Sequence, residues 1–109
     1  MFFIFKLMIR QPAFVTAGYA DWIIEMTKKK KPHQLLDSVK FEEVEEGGCI
    51  QMLHIGSYDS EPQSFIQMEQ FANEQQLKRK SHAHHEIYLS DARKTSPERR
   101  KTILRFQVE

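Results

Sequence analysis

The string "HAHHEIYLSD", residues 82–91, places His82, His84, Glu86, Tyr88 and Ser90 at alternate positions. If it forms a strand, those five side chains share one face. Two chemistries fit that face. His-x-His is a metal-ligand spacing on strands, and two imidazoles with a carboxylate can hold zinc, iron or copper. Alternatively Glu86 is the working group. A glutamate beside Ile87 and Leu89 is expensive to bury unpaired, and an aromatic surrounding raises its pKa. Ionised, it attracts a cationic ligand that Phe and Tyr faces also favour. Held protonated, it is a general acid or base. On pattern alone, a solvated strand carboxylate is the more ordinary reading. Against metal, His82 lies in a polar connector, Cys49 is the single cysteine, and His33 and His54 have no evident link to this string. The expected metal set is therefore none, and no cofactor motif is visible.

Several elements must position these groups. Phe2 to Arg10 is rich in aromatic and branched residues and reads as a strand with Phe3, Phe5, Leu7 and Ile9 on one face, ended by Gln11-Pro12. Thr16 suits a helix N-cap, and Tyr19, Trp22, Ile23 and Met26 repeat at helical spacing, so Trp22 reads as core. Lys28 to Lys31 favour that helix's C-terminus, and Pro32 forbids its continuation. Val39 to Glu45 alternates like a strand, Gly47-Gly48 supplies a turn, and Cys49 to Ile55 returns as a more apolar strand. Ser60 with Gln63 fits a capping box, opening a helix from Pro62 to about Leu77 with Phe65, Met68 and Ala72 inward. Strands follow at 84–90 and 102–108. The order is β-α-β-β-α-β-β: an α+β fold, an antiparallel sheet with two helices on one face. Residues 1–109 make a single domain.

Composition narrows the function. Sixteen Lys and Arg against fifteen Asp and Glu give a net charge of +1. That balance offers no general attraction for nucleic acid or anionic membrane. "EEVEE" offsets the lysine run, and no helix-turn-helix signature appears. The apolar start "MFFIFKLMIR" lacks a basic lead-in and is too short to span a bilayer. One cysteine fits a reducing cytoplasm.

Near residue 54, Met52 and His54 share a strand face, and Tyr58 follows the Gly56 loop beside a helix N-terminus. These three can line a cleft, or they can be core packing and turn chemistry.

"LMIRQPAFVT", "KKKKP", "CIQMLHIGSYDSEP" and "HHEIYLSDARKTSPERRKTILR" together resemble the GyrI-like small-molecule-binding domain, over nearly the whole chain. That family is related to the effector-binding domains of multidrug-responsive regulators and includes a gyrase inhibitor. The resemblance implies two βαββ repeats in relatives, of which this chain carries the last strand of the first, a linking helix and the second. Ser57 and Ala92 stand where prolines are expected, and Phe3 and Phe5 where relatives carry tryptophans. It further implies a cleft between repeats that takes lipophilic, often cationic aromatic compounds around a central glutamate, matched here by Glu86. Phe3, Phe5 and Tyr88 are the expected walls, with Met52, His54 and Tyr58 as further lining. Hydrolysis of strained cyclopropane-bearing toxins, with Glu86 directing water, is the enzymatic alternative that the resemblance implies. A gyrase-inhibitor-like protein-binding role is a third. Because one repeat leaves sheet edges and half a cleft, a homodimer that completes the cleft is the expected assembly.

Overall fold

A computed structural model describes residues 5–109. The chain divides into two compact units, one ending at Val44 and the other spanning Glu45–Glu109.

In the first unit, helix α1 runs Ala17–Lys30. Thr16 caps it as expected, its Oγ1 accepting from the Tyr19 amide at 3.1 Å. Lys28, Lys29 and Lys30 occupy the last turn, where cations complement the exposed carbonyls. Lys28 also reaches Glu25 at 3.2 Å and Asp37 at 3.4 Å. His33 caps a short 3-10 turn, Gln34–Ser38, by accepting from the Leu35 amide. Trp22, read above as core, stacks on Tyr19 and is 58% exposed. Helical periodicity finds an apolar stripe but does not supply what covers it.

Two expected strands are not found among the described residues. Residues 5–10 and 39–45 carry no strand, and Phe2 to Ile4 lie outside the described residues. Alternation is a local property, whereas a strand exists only where its amides and carbonyls find a ladder partner. The Gly47-Gly48 turn is present, with Gly47 at φ 67°, but it does not join a hairpin. The ladder partner of the strand that follows it comes from the end of the chain instead.

The second unit is a three-stranded antiparallel sheet under one helix. Its strands are β1 (Cys49–Ile55), β2 (His85–Tyr88) and β3 (Lys101–Gln107), in the order β1-β3-β2. Helix α2 is Glu61–Glu74. Met52 and Glu86 both pair with Leu104, and His54 and Tyr88 both pair with Thr102. Directly paired residues share a face, so Ile50, Met52, His54, Thr102, Leu104, Phe106, Glu86 and Tyr88 all point to one side. Glu61, Ser64, Met68 and Ala72, spaced i, i+3, i+7 and i+11, are the buried stripe of α2. Ile50, Met68, Ala72, Leu104 and Phe106 form the core, with Met52, Phe65 and Val108 packed against it. The helix stops in a paired-carbonyl cap: the Leu77 amide donates to Ala72 O and that of Gln76 to Asn73 O. Gln76 adopts φ 58°, where glycine is usual.

No helix among the described residues is long and apolar enough to cross a membrane. The fold is α+β, as the element pattern requires.

Candidate functional site

The apolar stripe of α2 ends in a charged residue. Glu61, in the helix's first turn, is only 8% exposed. It faces the sheet, where Glu86 projects from β2 close enough for the two carboxyls to perturb each other. Burial first, then the Glu86 hydrogen bond and charge, push Glu61 up to about 8. Two like charges in a desolvated place cannot both persist, so near neutrality the pair holds one proton between them. Glu61 Oε2 is buried with no donor among the described residues, which a shared proton explains.

Aromatic groups flank the pair. Tyr88 lies on the same strand face as Glu86 and meets Tyr58 edge-on, with centroids 5.8 Å apart. Desolvation and then the charge of Glu86 raise the Tyr88 hydroxyl above its ordinary value, with Glu61 adding to the effect. Tyr88 is therefore a neutral phenol with a proton to donate. The Arg100 guanidinium stacks over the Tyr58 ring at 4.9 Å and donates to Ala92 O at 3.2 Å. His84 approaches Glu86 through Nε2 at 3.3 Å and meets the edge of Phe65 at 4.6 Å. Glu86 keeps about 30% side-chain exposure. One carboxyl of the pair is thus sealed and the other is open to a ligand.

The residues picked out from sequence divide clearly. Glu86, Tyr88 and Tyr58 come together. Met52, for which lining and core packing were both open, is partly buried and packs against the core beside Leu104. His54 does not line an open cleft either. It is 5% exposed, with Nδ1 on Ser64 Oγ at 2.7 Å and Nε2 on Ser57 O at 2.9 Å. Phe5 belongs to the first unit and is 74% exposed, and Phe3 lies outside the described residues. The capping box at Ser60 is also absent: the Ser60 hydroxyl donates to Ser57 O at 2.9 Å and caps nothing. Among the described residues, no group of three or more His, Cys, Asp and Glu side chains is placed to hold a metal.

Glu61 was missed because a glutamate before proline reads as helix-start chemistry. The signal was available: the Met68–Ala72 stripe, extended backward by helical spacing, lands on Ser64 and then Glu61. Arg100 and the buried Thr102 gave no such signal, since their neighbours come from distant segments.

Comparison with known proteins agrees with this fold. The model of the GyrI-like small molecule binding domain matches residues 8–109. An uncharacterized conserved protein from Listeria innocua is 45% identical, with a TM-score of 0.83 over 92% of this chain and 50% of its own. A hydrolase from Listeria innocua is 43% identical at TM-score 0.82, covering 92% of this chain and 52% of its own. The hydrolase encoded by lin2189 from Listeria innocua is likewise 43% identical, at TM-score 0.80 over 92% of this chain and 50% of its own. This chain spans about half the length of those structures. No curated protein matches it. With its family model matched over almost the entire sequence, the chain belongs to the GyrI-like small-molecule-binding-domain family.

Proposed function

We propose that the Glu61–Glu86 pair, with Tyr58 and Tyr88, forms one wall of a site for a small lipophilic cation. The juxtaposition of the two carboxyls carries this reading, because it keeps a negative charge beside two tyrosines with His84, 3.3 Å from Glu86, as its one ion-pair partner among the described residues. A flat aromatic cation gains from leaving water, from the tyrosine faces and from that charge. A second copy of the chain is proposed as the source of an opposing wall.

Binding of a cation favours the doubly ionised pair and so expels the proton of Glu61. Affinity should therefore rise with pH and level off only above about 8, where Glu61 ionises without the ligand. The rise approaches at most about tenfold per pH unit. Titration calorimetry with a rhodamine-type cation, in buffers of different ionisation enthalpy, reads the released proton directly. Binding that is independent of pH between 5 and 8 would contradict the proposal. A monomeric mass that persists with saturating ligand would remove the second copy.

A second reading is favoured by one observation, that a buried carboxyl with a raised pKa, Glu61, stands beside a second, partly exposed carboxyl, Glu86. Such a pair can protonate a leaving group while the other member directs water. Two hydrolases among the similar structures add support. Turnover of a cyclopropane-bearing electrophile, lost in Glu86→Gln, would establish it; tight binding without turnover would leave the binding reading alone.

A further inference from the structure

The string "LHIGSYDSEP" supplies Tyr58 and Glu61, yet its most buried polar side chain, His54, hydrogen-bonds to serines instead. Its ring is fixed at both nitrogens. A carbonyl can only accept, so Nε2 carries the hydrogen that goes to Ser57 O, at 2.9 Å. Nδ1 is then the acceptor for the Ser64 hydroxyl, at 2.7 Å. Ser60 Oγ lies 3.1 Å from Nε2 and donates its own hydrogen to Ser57 O, which closes a three-membered clasp of His54, Ser57 and Ser60.

The clasp encloses the segment that carries the site. Tyr58 lies between Ser57 and Ser60, and Glu61 follows Ser60 directly. Two further features indicate that this arrangement is built. Ser60 occupies the N-cap position of α2 but makes no cap bond. A capping serine ordinarily stabilises its helix; here the hydroxyl is aimed at Ser57 O instead. Gly56 sits at φ 140°, and a Cβ there would stand 3.2 Å from Ser60 Oγ and 3.6 Å from His54 Nε2. The turn therefore keeps clear the space that the clasp occupies.

We infer that His54 is a positioning residue: by holding Ser57 and Ser60 from beneath, it sets Tyr58 against Tyr88 and Glu61 against Glu86. The inference rests on the reading of Glu61 and Glu86 as the working pair. His54 itself touches no ligand, and its role is to fix the register between the start of α2 and β2.

Two substitutions separate the two ring nitrogens. Asparagine places its amide near Nδ1 and can keep Ser64, but it cannot reach Ser57. Glutamine places its amide near Nε2 and can keep the clasp. Side-chain carboxyl titration by NMR on the ligand-free protein reads the outcome. In the wild type, Glu61 should titrate near 8. In His54→Asn its midpoint should fall by about one pH unit or more as the pair separates, while His54→Gln should stay close to wild type. If His54→Asn does not fold, Ser60→Ala removes one arm of the clasp and should move the midpoint the same way by less. A folded His54→Asn with an unchanged Glu61 midpoint, or a His54→Gln that shifts as far as asparagine, overturns the positioning role and leaves the pair intact. A wild-type Glu61 that titrates like an ordinary carboxylate overturns the pair, and the positioning role with it.

Discussion

One sheet presents carboxylates in two opposite settings. On the face away from α2, Glu46 meets Arg105 NH1 and His85 Nδ1, both at 3.1 Å. Arg105 in turn holds Gln51 Oε1, and Cys49 Sγ lies 3.6 Å from the other oxygen of Glu46. Each partner of Glu46 answers its charge. Glu61 and Glu86 answer each other with the same charge. Glu46 keeps 24% side-chain exposure and Glu86 30%, whereas Glu61 is sealed beneath its helix. A carboxylate matched by cations is complete and joins elements of the fold. A buried carboxyl set against another carboxyl, as Glu61 is, is costly to keep ionised, and the cost falls when a cation arrives.

The largest expected effect tests the side of that contrast open to ligand. Glu86→Gln keeps the shape and removes the charge, so a lipophilic cation should bind at least about tenfold more weakly, as charged hydrogen-bonding groups contribute roughly 1.5–3 kcal/mol. Fluorescence titration at pH 8 measures it. Equal affinity in the variant would break the contrast, since Glu86 would then be no more functional than Glu46.

Next comes stability against pH. The folded-state pKa of Glu61 is raised from 4.5 to about 8, so the folded protein binds more protons than the unfolded chain between those values. Stability from this group is complete below about pH 4.5 and is lost as pH rises toward 8. Glu61→Gln carries no such proton and should lose less stability across that window. The variant should gain on the wild type by roughly 1–3 kcal/mol between pH 5 and pH 8. Urea melts at the two pH values give the difference. A parallel pair of pH profiles would mean that Glu61 ionises freely.

How far the sequence anticipates this depends on whether the cause is local. Strand β1 is legible at both ends because two glycines precede it and a Gly-Ser-Tyr-Asp turn follows it. Thr16 and the start of α1 are legible for the same reason, as the cap and the stripe lie within one turn. Val39 to Glu45 misleads because its alternation satisfies every local rule for a strand and no ladder meets it. Glu86 stands out as a candidate, yet a strand carboxylate looks alike whether solvent or another carboxyl faces it. Only the register of β2 on β3 and the stripe of α2 bring Glu61 there. His54 is the sharper lesson: a polar residue on a site-bearing strand read as lining, and the helix placed over it turned it into a support.

The matched carboxylate should behave in the opposite way to the pair. Glu46→Gln leaves Arg105 and His85 without their anion and should lower stability by about 1 kcal/mol, a typical value for a partly exposed ion pair. Ligand affinity should not change. Raising salt should weaken the wild type toward the variant, because screening acts on exposed pairs first. An effect of Glu46→Gln on cation binding would show that the two faces of the sheet communicate.

The smallest effect belongs to His85, the second partner of Glu46. Its side chain is 31% exposed, and Arg105 already answers the same oxygen of Glu46. Removing one of two donors from a charge that keeps the other costs little, since the carboxylate stays paired and water reaches the vacated side. His85→Asn should therefore change stability by at most about 0.5 kcal/mol at pH 7, measured by urea melts. His84, the next residue along and on the opposite face, gives the contrasting case. It approaches Glu86 at 3.3 Å, where no arginine duplicates it. His84→Asn should accordingly alter cation affinity while His85→Asn leaves it untouched. Equal effects from these two neighbours would mean that the face on which a side chain projects does not decide whether it serves the fold or the ligand.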